Sequence, residues 1–487
     1  MGTPKGADFR IGRSSSPGGH LTEAAWAAAA GVLPAAAALI SRMRAIDLAY
    51  HVRAGEAILS TGDVVRTDPF TFTRSGLPWI NQQWGSQVVF ASAHRLWGWA
   101  SVAATYAAAI GIGFSLLYRI CRRAGTDVRT AAILTILGFL VGASSLGARP
   151  QALAVPLFGL TWLLLSRRDG WSWLVPVLAA LWANIHGSFV LAPILTLFAL
   201  GDDLVSRRSP VRSALVVVAT IAATAANPFG LTVWSYVVDV STNDTIRNTV
   251  AEWRPPSPLS GAGSLFWLSG VAVVVVALTR RTTVKAMDIA RLLVFFALGA
   301  AALRSTVWWA LAAPAVVAGW LAVPERRQEP RSERLALSAQ GSKVATAALS
   351  LALLVAALLS RSGTDPVTGA PKRLAADAPE VLAGATRRAL PTGSRLLVFQ
   401  PFASWFEYSL AGYRVMVDSR IELFPARVWR DYDNAIVAGD GWQAILERYE
   451  ISGVILPPGA VLARELREDP AWRLGTEGPA GSVFVRR

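Results

Sequence analysis

Long apolar runs recur along this 487-residue chain and constrain its fold more than any single motif does. A helix needs about 20 mainly apolar residues to cross the hydrocarbon core of a bilayer. About eleven runs, some of them short for that purpose, lie near residues 24–41, 99–120, 130–147, 152–166, 173–186, 188–204, 213–227, 264–279, 287–303, 306–323 and 343–360. With 53% hydrophobic and 16% charged residues, the pattern predicts an α-helical polytopic membrane protein.

The formal net charge of +15 comes from arginines that cluster between the apolar runs rather than along one face. This distribution argues against a nucleic-acid partner and is typical of cytoplasmic loops, which collect Lys and Arg. The predicted inner loops hold Arg122, Arg123 and Arg129; Arg167 and Arg168; Arg207, Arg208 and Arg212; Arg280, Arg281 and Lys285; and Arg326, Arg327, Arg331 and Arg334. We therefore expect a multi-pass protein of the cell (plasma or inner) membrane, with a cytoplasmic N-terminus and an extracytoplasmic C-terminal domain.

Three segments follow from this topology. Residues 1–22, rich in Gly, Ser and Pro, predict a disordered basic cytoplasmic tail. Residues 23–361 form the predicted transmembrane domain, with a long first outer loop at about 42–98. The first run is either a signal anchor, which we favour, or a cleaved signal, and both leave Asp47 outside.

Residues 362–487 change composition and alternate strand-like with helix-like pieces, so they predict a small extracytoplasmic α/β domain. Strands are expected at 395–400, 413–418, 453–456 and 481–486, and helices at 403–411, 428–438, 442–449 and 461–467. The single cysteine, Cys121, allows no intramolecular disulfide, and no Cys/His cluster predicts a zinc or redox site.

Unusual polar residues recur at the predicted outer ends of the spans and in the loops beside them. The candidate catalytic residues are Asp47 and Asp68, and the candidate substrate-binding residues are His51, Arg149, His186, Glu252 and Arg304. Arginine near a span is costly unless it meets phosphate, carboxylate or water, which favours function at Arg149 and Arg304. No ligand spacing predicts a metal site.

Several of these residues also have structural interpretations. Asp47 could cap a helix or pair with Arg44, and His186 could satisfy backbone groups where two helices end. The run 227–230, Asn-Pro-Phe-Gly, is better explained as a helix stop and turn. Asp418 and Arg420 predict an internal ion pair or, alternatively, part of an acceptor surface.

The motifs occur in order over nearly the whole chain, which resembles bacterial integral-membrane proteins of the GT-C glycosyltransferase superfamily, including dolichyl-phosphate-mannose mannosyltransferase-like proteins. The resemblance lies in residues 47–55, 67–73, 78–79 and Trp84, 149–151, 182–187, 227–230, 252–253 and 417–420. It implies a GT-C-like fold, an acidic residue in the first outer loop and a sugar donor linked to polyprenyl phosphate. That acidic position falls on Asp47, with Asp68 second.

The chain departs from the commonest pattern at two places. Tyr50 stands where a tryptophan usually precedes the histidine, and Gln82-Gln83 stands where a His-Glu pair often precedes Trp84. The missing glutamate leaves fewer carboxylates for a base or a metal, although a divalent cation is compatible with the chemistry.

The sequence thus predicts a membrane glycosyltransferase acting on an envelope glycan, lipid or protein at the extracytoplasmic face. Transfer from a lipid phosphate needs a base for the acceptor proton, for which Asp47 is suited, and cations for the departing phosphate, for which Arg149 and Arg304 are suited. His51 and His186 could orient the donor. The alternatives are a non-catalytic GT-C-like envelope-assembly protein and a transporter of lipid-linked sugars.

Overall fold

Helices make up most of the structure, a computed structural model that describes residues 18–167, 169–322 and 333–487. In these ranges the helices are α1 Gly18–Ile40, α2 Ala45–Thr61, α3 Trp84–Arg123, α4 Val128–Gly142, α5 Pro150–Arg167, α6 Val175–Ile185, α7 Leu191–Val205, α8 Val211–Ala223, α9 Thr232–Thr242, α10 Asp244–Thr249, α11 Gly261–Thr279, α12 Ala286–Ala301, α13 Thr306–Trp320, α14 Glu333–Leu359, α15 Glu380–Ala389, α16 Gln400–Ser409, α17 Ala426–Ile436, α18 Trp442–Arg448 and α19 Val461–Glu468.

Every predicted apolar run overlaps one of these helices. Within the described residues, five stretches are long and apolar enough to cross a membrane: Glu23–Ile40, Trp84–Arg123, Val128–Ser145, Gly187–Val205 and Gly261–Thr279. Shorter apolar helices lie at Gly170–Ile185, Val211–Ala223 and Lys343–Leu359. The described residues therefore form a helical membrane protein with five candidate spans, and the higher count of about eleven remains a prediction.

The helix α1 begins at Gly18, inside the segment 1–22 that was predicted to be a disordered tail. Residues 1–17 lie outside the described residues, as do Arg168 and the inner-loop arginines Arg326, Arg327 and Arg331. α1 packs against α3 and α14, so the first apolar run belongs to the helical body of this structure.

The segment predicted as a long first loop is largely helical, which corrects the interpretation of residues 42–98. It contains α2 and the first part of α3, which kinks at Trp97 and Gly98; Gly98 has a φ of +57°, a conformation that favours glycine. The polar residues of α2 are interspersed with Leu48, Ala49 and Val52, which are buried as the helix packs against α3 and α16. Hydropathy alone misses such a helix.

The C-terminal region, residues 380–487, contains the predicted small α/β fold. Its five-stranded sheet has the order β2-β1-β3-β5-β4, with β1 Arg395–Val398, β2 Arg414–Val415, β3 Gly453–Leu456, β4 Trp472–Gly478 and β5 Gly481–Arg486. β1 is parallel to β2 and β3, and β5 is antiparallel to β3 and β4. The four predicted strands are present, β2 shorter than expected, whereas β4 was not predicted.

The segment between α2 and α3 ties the sheet to the helical body. The backbone N–H of Phe72 donates to the carbonyl of Val415 at 3.2 Å, and the Thr73 hydroxyl donates to the carbonyl of Met416 at 2.6 Å. On α2, the backbone N–H of Tyr50 donates to the Ser404 hydroxyl of α16 at 2.8 Å. These contacts place the C-terminal region beside the start of α2, where the first candidate carboxylate lies.

Candidate active site

The start of α2 leaves the Asp47 carboxylate available for other partners. The helix is capped by Asp377, whose Oδ2 accepts the N–H of Ile46 at 2.9 Å and lies 3.7 Å from Nε of Arg44. Both structural roles considered for Asp47, helix capping and pairing with Arg44, are thus filled by Asp377. Asp47 remains in the first turn, where a negative charge is favoured by the helix dipole.

Asp47 instead joins a chain of alternating charges that we call the cavity cluster: Asp47, Arg149, Glu252 and Arg304. Nε of Arg149 lies 3.6 Å from Oδ2 of Asp47, and its Nη1 donates to Oε1 of Glu252. The same oxygen of Glu252 lies 3.9 Å from Nη1 of Arg304. The four side chains are 20–28% exposed, so they are neither fully buried nor free in solvent.

Breaks between helices hold the two arginines and Glu252. Arg149 immediately precedes Pro150, the first residue of α5, whereas Arg304 and Glu252 lie in single 3₁₀ turns, Leu303–Ser305 and Ala251–Trp253. The guanidinium of Arg304 stacks on the ring of Trp253, with 4.4 Å between its Cζ and the ring centroid. Stacking and the Glu252 contact together hold this guanidinium in place.

The two candidate histidines are both buried at this place. Nδ1 of His186 accepts the backbone N–H of Ser188 at 3.1 Å, which satisfies the backbone where α6 ends, as the structural interpretation expected. Nδ1 of His51 lies 3.4 Å from Nε2 of Gln87. Burial, together with the charges of Arg420 and Arg149, lowers the pKa of His51 to about 3. His51 is therefore neutral at physiological pH.

A cavity of about 850 Å³ brings most of the predicted residues together. Asp47, His51, Arg149, His186, Glu252 and Arg304 all line it, although they come from distant parts of the sequence. The volume lies within the range of ordinary ligand pockets. The C-terminal region contributes part of the wall, including Ser419, Arg420 and Glu422.

Asp68 belongs to a different group, the buried cluster: Asp68, Glu407, Asp418 and Arg420. Nη2 of Arg420 donates to Oδ1 of Asp68 at 2.6 Å, and Nε of Arg420 donates to Oδ2 of Asp418 at 2.9 Å. The side chains of Asp68, Asp418 and Arg420 are at most 1% exposed. Asp68 also accepts the backbone N–H groups of Phe70 and Thr71. Asp68 therefore joins the first segment to the C-terminal region, and the internal ion pair expected of Asp418 and Arg420 is present.

The rest of the buried cluster explains how one guanidinium is held so far from water. Arg420 lies over the rings of Tyr50, Phe70 and Trp79, the last at 4.4 Å. Burial and the charge of Asp418 raise the pKa of Glu407 well above its ordinary value, in spite of Arg420. Its carboxyl group therefore holds a proton more readily than that of an exposed glutamate.

Two further cavity residues, Tyr236 and Glu422, were not among the predicted site residues. Tyr236 of α9 donates its hydroxyl hydrogen to Oε1 of Glu422 at 2.9 Å, and both side chains line the cavity. Burial raises the pKa of Glu422. The sequence signal for Glu422 was its position, two residues after the Asp418–Arg420 motif. The run 227–230, by contrast, is the predicted turn, in which Asn227 Oδ1 accepts the N–H of Phe229 at 2.8 Å.

No group of three or more His, Cys, Asp and Glu side chains is arranged to hold a metal ion within the described parts of the chain.

The overall fold is similar to that of the archaeal oligosaccharyltransferase AglB of Archaeoglobus fulgidus, a GT-C-type enzyme. For AglB in complex with an inhibitory peptide and a dolichol-phosphate, the TM-score is 0.57 at 13% identity, covering 90% of this chain and 69% of that chain. The apo form gives a TM-score of 0.54 at 13% identity, covering 91% and 70%.

A third structure of the same archaeal enzyme, tethered with an acceptor peptide containing the NVT sequon, gives a TM-score of 0.52 at 12% identity, covering 90% of this chain and 69% of that chain. No protein-family model and no curated protein matches the sequence. At such low identity the likeness establishes a GT-C-like fold.

Proposed function

We propose that this protein is a membrane glycosyltransferase that transfers a sugar from a polyprenyl-phosphate donor to a cell-envelope glycan, lipid or protein. The observation that carries the proposal is the cavity cluster. A carboxylate and two arginines from separate segments line one cavity in a GT-C-like fold. One fold supports many activities, so the proposal depends on these groups rather than on the fold alone.

In the proposed reaction, an acceptor hydroxyl oxygen bonds to C1 of the sugar while the bond between C1 and the phosphate oxygen breaks. The acceptor proton passes to Asp47, and the polyprenyl phosphate leaves with the bonding electrons. Negative charge grows on the phosphate, where Arg149 and Arg304 stabilise it. Glu252 contacts both guanidinium groups and so holds them in position before the donor binds.

The remaining candidates have supporting roles in this proposal. His51, which is neutral, and His186, whose Nδ1 accepts the N–H of Ser188, orient the donor sugar and shape the wall around Asp47. Asp68 acts indirectly, because it holds the loop after α2 against Arg420.

We also propose the arrangement of the protein in the membrane. The N-terminus is cytoplasmic, residues 23–361 form the transmembrane domain with about eleven crossings, and residues 362–487 lie outside the cell (plasma or inner) membrane. The cavity then opens to the extracytoplasmic face, with the donor lipid between helices. The arginine clusters of the predicted inner loops support this orientation.

The substitution Asp47→Asn tests the enzyme assignment. It should abolish transfer, reducing the rate by about 100-fold or more, because an amide cannot take the acceptor proton. A strain lacking the gene is complemented with the wild-type or variant gene, and its envelope glycans and glycolipids are compared by mass spectrometry. Asp47→Asn should reproduce the deletion profile while its membrane abundance stays normal.

Asp63→Asn provides the control, because Asp63 is an exposed carboxylate just after α2 and is absent from the cavity wall. That variant should restore the wild-type profile. If Asp47→Asn restores it as well, in a host where deletion alters the glycans, Asp47 is not the base and the proposed mechanism fails.

A further inference from the structure

Two glutamines in the wall of the cavity each have a side-chain oxygen without a hydrogen-bond partner among the described residues. Oε1 of Gln82 and Oε1 of Gln151 are buried and have no hydrogen-bond partner among the residues that the structure describes. Both residues line the cavity and are at most 3% exposed. Buried polar atoms are normally paired, so two unpaired oxygens on residues that line one cavity need an explanation.

The amide orientation of each glutamine is fixed by its neighbour. Nε2 of Gln82 donates to the carbonyl of Ala183 at 2.7 Å, and Nε2 of Gln151 donates to the carbonyl of Arg304 at 2.7 Å. A carbonyl can only accept, so each amide must present its NH₂ group there. The oxygen is consequently the atom left over, and it can only accept a hydrogen bond.

A purely structural role accounts for the NH₂ group of each glutamine but not for its oxygen. The NH₂ groups satisfy carbonyls beside two helix breaks, one at His186 and the other at Arg304. That role gives no reason for an unpaired oxygen, since burying such an atom is unfavourable. A ligand that donates O–H groups toward the wall supplies the missing partner.

We infer that Gln82 and Gln151 form a subsite for the hydroxyl groups of the donor sugar. The inference deepens the proposed function and depends on it. Phosphate oxygens at neutral pH accept hydrogen bonds, so they are repelled by the amide oxygens and attracted by Arg149 and Arg304. Sugar hydroxyls have the opposite preference. The donor is thereby oriented with its phosphate toward the arginines and its neutral, hydroxylated sugar toward the glutamines.

Binding measurements on the full chain in lipid nanodiscs test this inference with two probes. One is a short-chain polyprenyl phosphate without sugar, and the other is the same carrier bearing mannose or glucose. The wild type should bind a sugar-bearing probe at least 10-fold more tightly than the bare phosphate. Gln82→Met and Gln151→Met should each lose at least 3-fold of that preference, which is read as the ratio of the two affinities because Gln151 also holds the carbonyl of Arg304.

Asn184→Leu is a matched control from the same helix break. Its Nδ2 also donates to backbone carbonyls, of Ala180 and Ala226, but its Oδ1 is paired with Nε1 of Trp84. Asn184→Leu should lower the melting temperature yet keep the sugar preference. If it loses the preference as the glutamine variants do, the effect is structural and the inference is overturned.

The outcomes separate the inference from the function on which it depends. A wild type that binds both probes equally overturns the subsite and keeps the phosphate site. A wild type that binds neither overturns the subsite together with the proposed donor. If a methionine variant does not fold, singly deoxygenated sugar probes on the wild type decide the matter. Loss of one hydroxyl should then reduce affinity at least 3-fold, and unchanged affinity for every deoxy probe overturns the subsite.

Discussion

The cavity cluster and the buried cluster use the same residue types in different surroundings. In the cavity cluster, the side chains are 20–28% exposed, and Arg149, Glu252 and Arg304 are linked at distances up to 3.9 Å. In the buried cluster, Asp68, Asp418 and Arg420 are at most 1% exposed and are directly hydrogen-bonded. Ion pairs that water or a ligand can reach are able to exchange partners, whereas a fully buried pair is costly to break.

The comparison gives different roles to Asp47 and Asp68, the two candidate carboxylates of the first outer segment. Asp47 can meet a ligand in the cavity, and Asp68 holds the segment after α2 to the C-terminal region. His51 lies between the clusters, since both Arg420 and Arg149 act on its pKa. The cavity cluster and the buried cluster that supports it therefore meet along α2.

Removing the guanidinium of the buried cluster should have the largest effect on stability. Arg420→Met leaves the carboxylates of Asp68 and Asp418 buried without their shared partner, which should cost about 3–5 kcal/mol. Differential scanning fluorimetry of the detergent-solubilised protein should show a markedly lower melting temperature. Limited proteolysis should also cut the segment between α2 and α3 more rapidly.

Arg430→Met is the control for this change, because Arg430 is an exposed arginine on α17 of the same region. Its effect should stay within about 0.5 kcal/mol. Equal melting temperatures for the two variants would show that the buried cluster contributes no more to stability than a surface charge does. The distinction between the two clusters would then be wrong.

The pH dependence of stability should reveal His51 between the clusters. Its pKa is about 3 in the folded protein and about 6.5 when unfolded, so the unfolded chain binds the proton first as the pH falls. The contribution is complete above pH 6.5 and is lost toward pH 3. At pH 4.5 the folded state should lose about 3 kcal/mol from this group.

Melting temperatures of the wild type and His51→Asn between pH 8 and pH 4.5 isolate this contribution. Glu407 and Glu422 have raised pKa values, so their protonation acts in the opposite direction and is common to both proteins. The wild type should lose more stability on acidification than the variant does. Parallel curves would mean that His51 is accessible to protons in the folded state.

Sequence patterns predicted the helices and the small sheet well where hydropathy or alternation was local. β4, Trp472–Gly478, escaped because it is an edge strand with two glycines and little buried surface. α2 escaped because its polar residues hide the apolar face that packs on α3 and α16. Both elements depend on partners that no local pattern specifies.

The candidate site, like the fold, was predicted from the sequence only in part. A topology argument placed Asp47, Arg149, Glu252 and Arg304 on one side of the membrane, and the structure has them on one cavity; their catalytic roles remain predictions. The contact between Asp68 and Arg420 spans 352 positions and could not be read from the sequence. Nor could the capping of α2 by Asp377, which lies 331 positions from Ile46.

Arg304→Lys should affect the cavity cluster without affecting the fold. A lysine cannot make a planar, bidentate contact with phosphate or stack on Trp253 in the same way. Donor-dependent transfer should fall about tenfold, equivalent to about 1.4 kcal/mol, with the melting temperature nearly unchanged. The exposed Arg247 gives the control Arg247→Lys, which should transfer normally. Equal activity of the two variants would remove Arg304 from phosphate binding.

The smallest expected effect lies at the cap that connects the C-terminal region to α2. Asp377→Ala removes the acceptor for the N–H of Ile46 and should cost about 1 kcal/mol. It should also lower transfer several-fold, because Asp47 occupies the first turn of the helix that this cap fixes. Activity and melting temperature are measured on the same preparation.

Asp127→Ala separates the two consequences. Asp127 caps α4 by accepting the N–H groups of Arg129 and Thr130, at 2.9 Å and 3.1 Å, so its loss should cost a similar stability. It does not line the cavity, and transfer should therefore be unchanged. If Asp377→Ala also leaves transfer unchanged at equal destabilisation, the position of Asp47 does not depend on the C-terminal region. The C-terminal region would then not support the cavity cluster through α2.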